Sequence, residues 1–565
     1  MLERLTTQVH SLLKERYKLT NVAVEWRNPP QQEQADFATP VALQAAKAAG
    51  VPPKEIAQAL LSVLQGLPDV ERAEVAGVGY VNVTLQPSAL LKLLLGTQEA
   101  LTARPINEKD PPVIVDYCGP NIAKPLGAHH LGSHIIGQVI INIYKHRGVR
   151  TIGWTYPGDW GTQFGKLAVA NRLWGKKKSG ASTVEELLAL YVRFHKEAEK
   201  KPALEDEARE AFAKLEAGDK ELRAFWKHVV DTSYAALDAL YARLHVHPDV
   251  VTGESFYEDK MAPVLEEGVR KGVFTEGEKG ALIVQFAEDT GLPPLLVRKS
   301  DGSTLYATRD LAMIRYRIDT YHPSALYYVV DVAQSLHFKQ LLATCRLLGW
   351  DMPEFEHTVF GRMRFADASM STRKGTSIRM EQLFDEAVRR AAAIIAERKD
   401  TILTDDPAGL AEMMGTGAIA YGILSQNRKM DIIFDWDRML SFEGNSAPYL
   451  QYTHARARSV LRKAGGAPGA LPTSSAGMTP HERALVHALL AFPGVLEEAC
   501  VHRMPHTLTN HLYTLCQVFN AFYNAEPILK AEESIRSLRL SLTALTARVL
   551  QTGAGLLTLR VPERM

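Results

Sequence analysis

The sequence predicts an α/β multidomain protein whose central domain is built on a parallel β-sheet. Three observations support this prediction. The 565 residues suffice for about three or four domains of roughly 150 residues each. Between residues 113 and 360, short β-branched runs alternate with helical patterns, which is the order of strand–helix–strand units in a parallel sheet. From Glu381 onward the apolar spacing is almost entirely helical.

Composition and charge exclude several classes of protein. Hydrophobic residues make up 46% of the chain and charged residues 23%, which is typical of a globular protein and not of a disordered one. No continuous apolar run approaches the ~20 residues that cross a bilayer, and the first residues lack a secretory core. We therefore expect a cytoplasmic protein without a membrane partner. The net charge of +1 does not indicate a nonspecific nucleic-acid coat.

The four cysteines indicate free thiols. They are Cys118, Cys345, Cys500 and Cys516, and none has a partner at the spacing of metal ligands. We expect no structural zinc and no bound metal in the protein itself.

The first 103 residues predict a small α+β domain. Residues 2–17 and the alanine-rich residues 42–49 have helical spacing, and a third helix begins at Pro53. Residues 75–85 alternate between polar and apolar and contain turn glycines, so they predict a pair of strands.

The central domain, residues 110–375, opens with a strand at 113–115, a polar loop and a helix at 131–144. Such a turn can bind anions, because unpaired backbone N–H groups point out of the helix end. Polar side chains in and beside the turn could contact phosphate or stabilise a leaving pyrophosphate: Asn121, Lys124, His129, His130 and His134. A single histidine there would more often be a cap or a packing residue, so both interpretations stay open.

Later parts of this domain predict an insertion, more strands and a basic loop. Residues from about 170 to 270 have long, highly charged helical patterns, which indicates a solvated helical insertion. Residues 280–299 alternate as strands, residues 326–332 predict a buried parallel strand, and Val359-Phe360 predicts the last strand. The loop 369–375, SMSTRKG, could close over a triphosphate, although its composition alone is that of an ordinary basic loop.

Polar residues near predicted strand ends suggest a site for a cation. Asp116 ends the first strand, Gln334 follows a later one, and Tyr306 and Asp310 share a helix face. Two carboxylates, a phenol and an amide suit a guanidinium, which pairs with carboxylates in a planar, bidentate way. The alternative is a surface ion pair of Asp310 with a neighbouring arginine, Arg309 or Arg315.

The C-terminal half divides into a connecting helical region, residues 376–430, and a helical domain, residues 431–565. Tyr449, Tyr452 and Arg456 share one helix face. Such side chains can stack on unpaired bases, although periodicity alone favours an aromatic core stripe. The chain has neither a G-x-x-x-x-G-K-[ST] loop nor a G-x-G-x-x-G turn after its first strand, which disfavours P-loop and dinucleotide-binding enzymes.

Seven ordered motifs carry a resemblance to a known family. They are GPNIAKP with the histidine pair, GDWGTQFG, LYATRD, YVVDVAQSLHF, MSTRKG, FDWDRMLSFEGNSAPYLQYTHAR and the terminal PERM. In these the chain resembles the bacterial-type arginyl-tRNA synthetases, which are class I aminoacyl-tRNA synthetases, over its whole length. The resemblance implies a Rossmann-like catalytic domain with a helical insertion, an N-terminal domain at the tRNA elbow, a stem-contact region at 376–430 and an anticodon-binding domain at 431–565.

The resemblance also implies the reaction. Arginine, ATP and the arginine tRNA would give arginyl-tRNA, AMP and pyrophosphate through arginyl-adenylate, with Mg²⁺ accompanying ATP. The arginine carboxylate would attack the α-phosphate, and activation would require bound tRNA. Near-neutral charge and the absence of a coiled-coil pattern favour a monomer.

The family motifs assign candidate residues to four roles. The arginine-binding candidates are Asp116, Asn121, Tyr306, Asp310 and Gln334. The catalytic candidates are Lys124, His129, His130, Met370, Ser371, Arg373 and Lys374. The ATP-binding candidates are Gly127, His130, Gly137, His337, Ser371 and Lys374. The tRNA-binding candidates are Asn82, Tyr449, Tyr452, Arg456 and Met565.

Two signatures depart from the family pattern. The HIGH tetrapeptide reads Gly127-Ala128-His129-His130, and Gly132 replaces the arginine that usually follows. Ser369 replaces the first lysine of the KMSKS signature. We hypothesise that His129 and Lys374 take over some of the phosphate contacts.

Three alternatives remain: an inactive or repurposed paralogue that binds tRNA, a different amino acid specificity, and a nonenzymatic RNA-binding module. Cysteine is disfavoured as the amino acid because the sequence has no metal cluster, and large branched amino acids because it has no long editing insertion. An RNA-binding module would not explain LYATRD and AQSLHF.

Overall fold

The structure is a computed structural model that describes residues 2–27, 29, 35–175, 183–365, 378–468, 471–472 and 477–565. Three regions follow one another along the chain: an α+β region, a region built on a parallel sheet, and a helical region. The predicted fold class is therefore confirmed.

The N-terminal region packs helices against a three-stranded antiparallel sheet of order β1-β3-β2. Pro53 begins the third helix, where the missing N–H costs no hydrogen bond. The elements are α1 (Leu2–Tyr17), β1 (Phe37–Thr39), α2 (Val41–Ala49), α3 (Pro53–Leu64), β2 (Val70–Ala76), β3 (Tyr80–Leu85) and α4 (Pro87–Ala100).

The central region contains a five-stranded parallel sheet of order β11-β10-β4-β5-β6. The strand order changes direction between β4 and β10, and ligands of such sheets bind beyond the carboxyl ends of the strands at this point. The strands of the sheet are β4 (Val113–Asp116), β5 (Thr151–Thr155), β6 (Val250–Val251), β10 (Ala325–Tyr328) and β11 (Glu354–His357). The helices of the region are α5 (Leu131–His146), α6 (Thr162–Trp174), α7 (Val184–Lys200), α8 (Ala203–Glu216), α9 (Lys220–Leu244), α10 (Glu258–Arg270), α11 (Tyr306–Tyr321) and α12 (Ser335–Leu347).

Parts of the central region differ from expectation. The long charged helices end at Leu244, because β6 then pairs with β5 and the chain returns to the sheet. The strands expected at 280–299 form a separate antiparallel sheet. Its strands are β7 (Phe274–Glu276), β8 (Leu282–Val284) and β9 (Leu295–Arg298).

The last strand of the parallel sheet was also predicted at the wrong place. Its residues are Glu354–His357 and not Val359-Phe360, since Phe360 makes only a single bridge with Asp331. This edge strand carries a charged residue, Glu356, which pairs with arginines from the helical region. An apolar strand pattern cannot reveal such a partner.

The described residues of the C-terminal region are helical apart from one short strand pair. In that pair, β12 (Met363–Phe365) lies parallel to β13 (Ile432–Phe434). The helices are α13 (Met380–Glu397), α14 (Pro407–Leu424), α15 (Trp436–Met439), α16 (Ala447–Lys463), α17 (Pro480–His502), α18 (Pro505–Ala525) and α19 (Glu533–Leu556).

One helix of the described chain, α17, is long and apolar enough to cross a membrane by length and composition. Its Leu485, Leu489 and Phe492 are buried in the core of the helical region. The backbone oxygen of Leu489 accepts a hydrogen bond from Thr97 of α4. The helix thus has the contacts of a core helix.

A buried carboxylate joins the first region to the last. Asp36 accepts hydrogen bonds from Arg483 at 2.6 Å and from His487 at 2.7 Å, both on α17, and from the Leu85 backbone N–H at 2.6 Å. Asp36 is 1% exposed, so these bonds fix the N-terminal region against the helical region.

Candidate active site and nucleic-acid cleft

Residues 117–130 form the turn between β4 and α5, here named the catalytic turn. Its last part is a short 3₁₀-helix, Ala128–His130, which continues directly into α5. The Ala128 N–H donates to the Ile378 carbonyl, and the Met380 N–H donates to the Leu126 carbonyl, both at 2.8 Å. Residues immediately after the basic loop are therefore anchored on the catalytic turn.

The basic loop itself lies outside the described residues. This applies to Met370, Ser371, Arg373 and Lys374, which therefore remain sequence-based candidates.

The adjacent histidines of the catalytic turn lie side by side. The ring centroids of His129 and His130 are 3.9 Å apart, and the His130 Nδ1 is 3.1 Å from the Gly127 carbonyl, to which its N–H donates. Burial and the neighbouring His129 lower the pKa of His130 to about 4, and burial and Lys124 lower the pKa of His129. Both imidazoles are therefore neutral hydrogen-bonding groups at pH 7.

His134 does not belong to this group, so the prediction that it contacts phosphate was wrong. One helical turn after His130, it points into the core against Tyr241 and is 1% exposed. Its Nδ1–H donates to the His130 carbonyl at 2.7 Å, and burial lowers its pKa to about 3. Helical spacing showed which residues share a face but not that this face is covered by α9.

The glycine candidates differ in their positions. Gly127 lies in the catalytic turn and pairs with Arg379. Gly137 lies further along α5, where a Cβ would come within 2.5 Å of Tyr117. The structure thus gives Gly137 a packing role between α5 and the end of β4, away from the histidine pair.

Two arginine-site candidates, Tyr306 and Asp310, both contact His337. The His337 Nε2–H donates to the Asp310 carboxylate at 2.6 Å, and the Tyr306 ring lies 4.8 Å from the His337 ring. His337, expected at ATP, is therefore a neighbour of the arginine candidates. Gln334 is exposed and immediately precedes α12, which carries His337.

The alternative surface ion pair of Asp310 does not form among the described residues. Arg309 pairs with Glu254 at 3.3 Å, and Arg315 pairs with Asp319 at 2.8 Å. The Asp310 side chain is 16% exposed, so it is not fully enclosed by its neighbours.

Asp116 has a partner that sequence patterns missed. It forms an ion pair with Arg317, whose side chain is fully buried between the rings of Trp154 and Tyr328. Burial opposes the charge on Arg317, but the Asp116 carboxylate outweighs it and raises the pKa of the guanidinium. The charge of Asp116 is thus already paired with the Arg317 guanidinium inside the protein.

Glu254 is a further carboxylate that sequence reasoning missed. Glu254 follows strand β6, just as Asp116 ends strand β4, and a polar residue at a strand end is the signal that identified Asp116. That signal was missed for Glu254 because β6 has only two residues, too few for a recognisable strand pattern. Asp159 of the GDWGTQFG motif fixes its turn by accepting bonds from the Ser255 N–H and hydroxyl at 2.8 and 2.7 Å. Burial raises the pKa of Glu254 to about 7, and Asp310 and Asp159 add to the increase.

Carboxyl groups outnumber guanidinium groups at these strand ends. Asp116, Asp159, Glu254 and Asp310 supply four carboxyl groups, and Arg309 and Arg317 supply two guanidinium groups. The same carboxylates act on one another's pKa. A cationic ligand would relieve this repulsion, so the arrangement suits a guanidinium.

Asn121 and Lys124 lie on the exposed side of the catalytic turn. Asn121 packs on Gly158, where a Cβ would come within 2.2 Å of its Oδ1. Both residues line a cavity of about 290 Å³ that extends to α9 and Arg379. Leu126 of the catalytic turn and Glu185 of α7 also line it, so the cavity lies between the catalytic turn and the helical insertion.

A second cleft, of about 1120 Å³, lies in the helical region and contains three of the tRNA candidates. Tyr452, Arg456 and Met565 line it, and the Arg456 guanidinium lies over the rings of Tyr452 and Tyr523 at 4.7 and 5.0 Å. Tyr449 lies beside it, packed on Tyr513 and bonded to Asn520. The cleft also has basic residues that sequence reasoning missed because they come from separate segments: Lys399, Arg462, Lys463, Lys530 and Arg564.

Asn82 does not lie on an accessible face. It is 1% exposed in β3, the central strand of the N-terminal sheet, between β1 and β2. The structure therefore contradicts direct contact of this side chain with tRNA in this conformation. A sequence motif located the strand but not which side of it is covered.

Within the described residues, no group of three or more His, Cys, Asp or Glu side chains is arranged to hold a metal ion. The four cysteines are free thiols.

Three family profiles match the chain in order. Residues 3–85 match "Arginyl tRNA synthetase N terminal domain", residues 91–436 match "tRNA synthetases class I (R), catalytic domain", and residues 450–565 match "DALR anticodon binding domain". Together these matches extend over nearly the whole chain.

Characterised relatives agree with the profiles. The chain is 38% identical to the arginine–tRNA ligase of Chloroflexus aggregans over 574 residues, covering 100% of this chain and 99% of the relative. It is 38% identical to the same enzyme of Alkaliphilus metalliredigens, covering 95% of both. The solved structure of Thermus thermophilus arginyl-tRNA synthetase superposes with a TM-score of 0.78 at 28% identity, with complete coverage of both chains.

Proposed function

Since the chain belongs to the arginyl-tRNA synthetase family, we propose that the carboxylates beyond β6 and on α11 hold the guanidinium of its arginine substrate. The chain is an arginine–tRNA ligase, which uses ATP to join arginine to tRNA. The observation that carries the proposal is the excess of two carboxyl groups over guanidinium groups at these strand ends, together with the raised pKa of Glu254.

In this proposal Asp310 and Glu254 bind the guanidinium and Tyr306 covers it. His337 holds the Asp310 carboxylate in one orientation through their 2.6 Å hydrogen bond. Arg309 neutralises part of the Glu254 charge, and Arg317 neutralises Asp116. Asn121 and Gln334 would contact the α-amino and carboxylate end of arginine. Both side chains are exposed, Asn121 in the catalytic turn and Gln334 directly before α12.

The catalytic turn is proposed to bind the phosphates of ATP. The arginine carboxylate attacks the α-phosphorus, the bond to the bridging oxygen breaks, and pyrophosphate leaves with that electron pair. His129 donates a hydrogen bond to the phosphate oxygens. His130, whose Nδ1–H is bonded to the Gly127 carbonyl, donates to them through Nε2 after the neighbouring phosphate charge has favoured uptake of a second proton. Gly127 lets the nucleotide approach the backbone, and Lys124 attracts the charge. The basic-loop residues Ser371, Arg373 and Lys374 would cover the other side.

Mg²⁺ would reach the site on the phosphates of ATP and shield their negative charge when bound. Asp331 lies near enough to the catalytic turn to act on the pKa of His129, so it is the carboxylate suited to contact this ion.

The basic cleft of the helical region is proposed to bind the anticodon loop. Tyr452 and Tyr523 offer ring faces for unpaired bases, with Arg456 between them. The lysines and arginines around the cleft suit backbone phosphates. We further propose a monomeric, cytoplasmic enzyme with domains at residues 1–103, 110–375 and 431–565, joined by a helical connector at 376–430.

His130→Ala is expected to lower kcat for arginine activation about 1000-fold, and His129→Ala about tenfold. Removal of one preorganised donor to a developing charge costs about 10²–10³-fold, and His129 is the more exposed of the two. Pyrophosphate exchange in the presence of tRNA measures both. An unchanged kcat for His129→Ala would identify that residue as a spacer in the divergent signature.

The KM for arginine is expected to rise about fivefold to tenfold between pH 7.5 and pH 6. Burial raises the pKa of Glu254 to about 7, so its carboxyl is mostly protonated at pH 6 and must lose the proton before it can pair with a guanidinium. Exchange kinetics at saturating ATP give the profile. Glu254→Gln should remove this step, and Glu258→Gln, which changes a nearby carboxyl paired with Arg223, should retain it.

The proposed function as a whole is tested by aminoacylation of total tRNA with arginine and ATP. Formation of arginyl-tRNA with release of AMP and pyrophosphate is the expected result. Tight tRNA binding without charging would instead indicate a repurposed paralogue.

A further inference from the structure

A notch at the start of α5 is filled by a side chain from a distant segment. Gly132 lies two residues after His130, and a Cβ at this position would come within 2.7 Å of the Phe360 ring. Real Cβ atoms do not approach so closely, so no residue larger than glycine fits without displacing Phe360. The ring thus presses directly on the first turn of the helix that carries the histidine pair.

The same segment, residues 359–361, also holds the loop before α12. The Val332 N–H donates to the Phe360 carbonyl at 3.1 Å, and Asp331 pairs with Phe360 as an isolated bridge. Residues 331–334 lead directly to α12 and His337. Phe360 therefore contacts both the start of α5 and the segment leading to the arginine-site histidine.

Arg428, from the helical region, forms hydrogen bonds with residues 359 and 361 of this segment. It is 3% exposed, its Nη1 donates to the Val359 carbonyl, and its Nε donates to the Arg503 carbonyl at 2.8 Å. The Gly361 N–H donates to the Arg428 carbonyl at 2.7 Å. Both ends of the segment are therefore bonded to one buried arginine.

Arg503 completes the connection at the corner between α17 and α18. Its backbone has φ of 53°, a left-handed conformation that costs a non-glycine residue about 1 kcal/mol or more. Its guanidinium lies over the Tyr327 ring at 4.4 Å and pairs with Glu356. Burial opposes ionisation of Glu356, but the bond from Arg503 outweighs it and lowers the pKa of the carboxyl.

We propose that residues 359–361 are a positioning segment, in which Phe360 sets the place of the catalytic turn through the Gly132 notch and Arg428 and Arg503 brace the segment against the helical region. No contact with a substrate is assigned to Gly132, Phe360, Arg428 or Arg503. The proposal rests on the ligase function and adds residues that act through His130 and His337. It predicts effects on kcat rather than on substrate KM, because a displaced catalytic group slows the reaction of substrates that are already bound.

The notch is tested by a substitution and its rescue. Gly132→Ala should lower kcat for tRNA-dependent pyrophosphate exchange about 100-fold, the loss expected when groups are misplaced by ~1 Å, with KM for arginine and ATP within about twofold. Gly132→Ala combined with Phe360→Val should recover at least tenfold of this loss, because the smaller side chain leaves room for the added methyl group.

Gly494→Ala is the matched control, since Gly494 is also in a helix and its Cβ would meet nothing within 4 Å. It should leave kcat unchanged. Full activity of Gly132→Ala, or a double variant no better than the single one, would overturn the proposed notch.

The brace is tested by Arg503→Lys, which keeps the charge but loses the planar group that pairs with Glu356 and stacks on Tyr327. Aminoacylation kcat should fall about tenfold while KM for tRNA stays within about twofold. Arg147→Ala is the control, because Arg147, the residue after α5, also pairs across the same regions, with Glu497 of α17, but is not bonded to the segment. Equal effects of the two variants on kcat would overturn the brace, and thermal melts of both would establish that each is folded.

Discussion

Asp310→Asn is expected to raise the KM for arginine about 100-fold or more, while the KM for ATP stays within about twofold. The substitution keeps the shape of the side chain and an oxygen to accept the His337 hydrogen bond. It removes the charge that faces the guanidinium, and loss of one partner of a desolvated charge pair costs about 2–5 kcal/mol. Pyrophosphate exchange with tRNA present measures the two constants separately.

Asp319→Asn is the matched control for this prediction. Asp319 is on the same helix, α11, and pairs with Arg315 on its solvent side. We expect no change in arginine KM, because exposed helix pairs contribute little. An arginine KM for Asp310→Asn within about threefold of the parent value would contradict the assignment of Asp310 to the guanidinium.

Arg317→Met is expected to destabilise the protein by about 3–5 kcal/mol, the usual loss when one partner of a buried ion pair is removed. The substitution leaves Asp116, 7% exposed, without its cation. Urea denaturation of the full chain measures the loss. Combined with Asp116→Asn it should recover much of the stability, because no unpaired charge is then buried.

The single variants Asp116→Asn and Arg317→Met also test whether Asp116 binds arginine or stabilises the fold. If Asp116 bound arginine directly, Asp116→Asn alone would raise arginine KM as strongly as Asp310→Asn. Because Arg317 already neutralises Asp116, we expect a smaller rise in KM and a larger loss of stability. An unfolding midpoint for Arg317→Met equal to that of the parent would contradict the structural role of the pair.

The sequence predicted secondary-structure elements wherever a local pattern carried the information. The strand at 113–116, the start of α5 near His130 and the shared face of Tyr306 and Asp310 all follow from spacing within a few residues. Parts that depend on distant partners were not predictable. The Asp116–Arg317 pair joins residues 201 positions apart, and the burial of His134 depends on a helix that follows a long insertion.

Some strands were missed or misplaced by the sequence predictions because they are very short or carry charged residues. Two residues, Val250–Val251, form β6, too few for a strand pattern, so Glu254 was not recognised as lying at a strand end. The edge strand with Glu356 carries charges because arginines from another region meet them. The basic residues of the cleft in the helical region were missed for another reason. Lys399, Lys463 and Lys530 are far apart in the sequence and come together only when the chain folds.

The central claim is that carboxylates at the sheet's carboxyl edge select a guanidinium by its charge. The most direct measurement is tRNA-dependent pyrophosphate exchange with arginine and with citrulline, an uncharged analogue of nearly the same shape. We predict kcat/KM for citrulline about 10⁴-fold below that for arginine, since buried carboxylates would be left unpaired. A difference of less than about tenfold would contradict the claim.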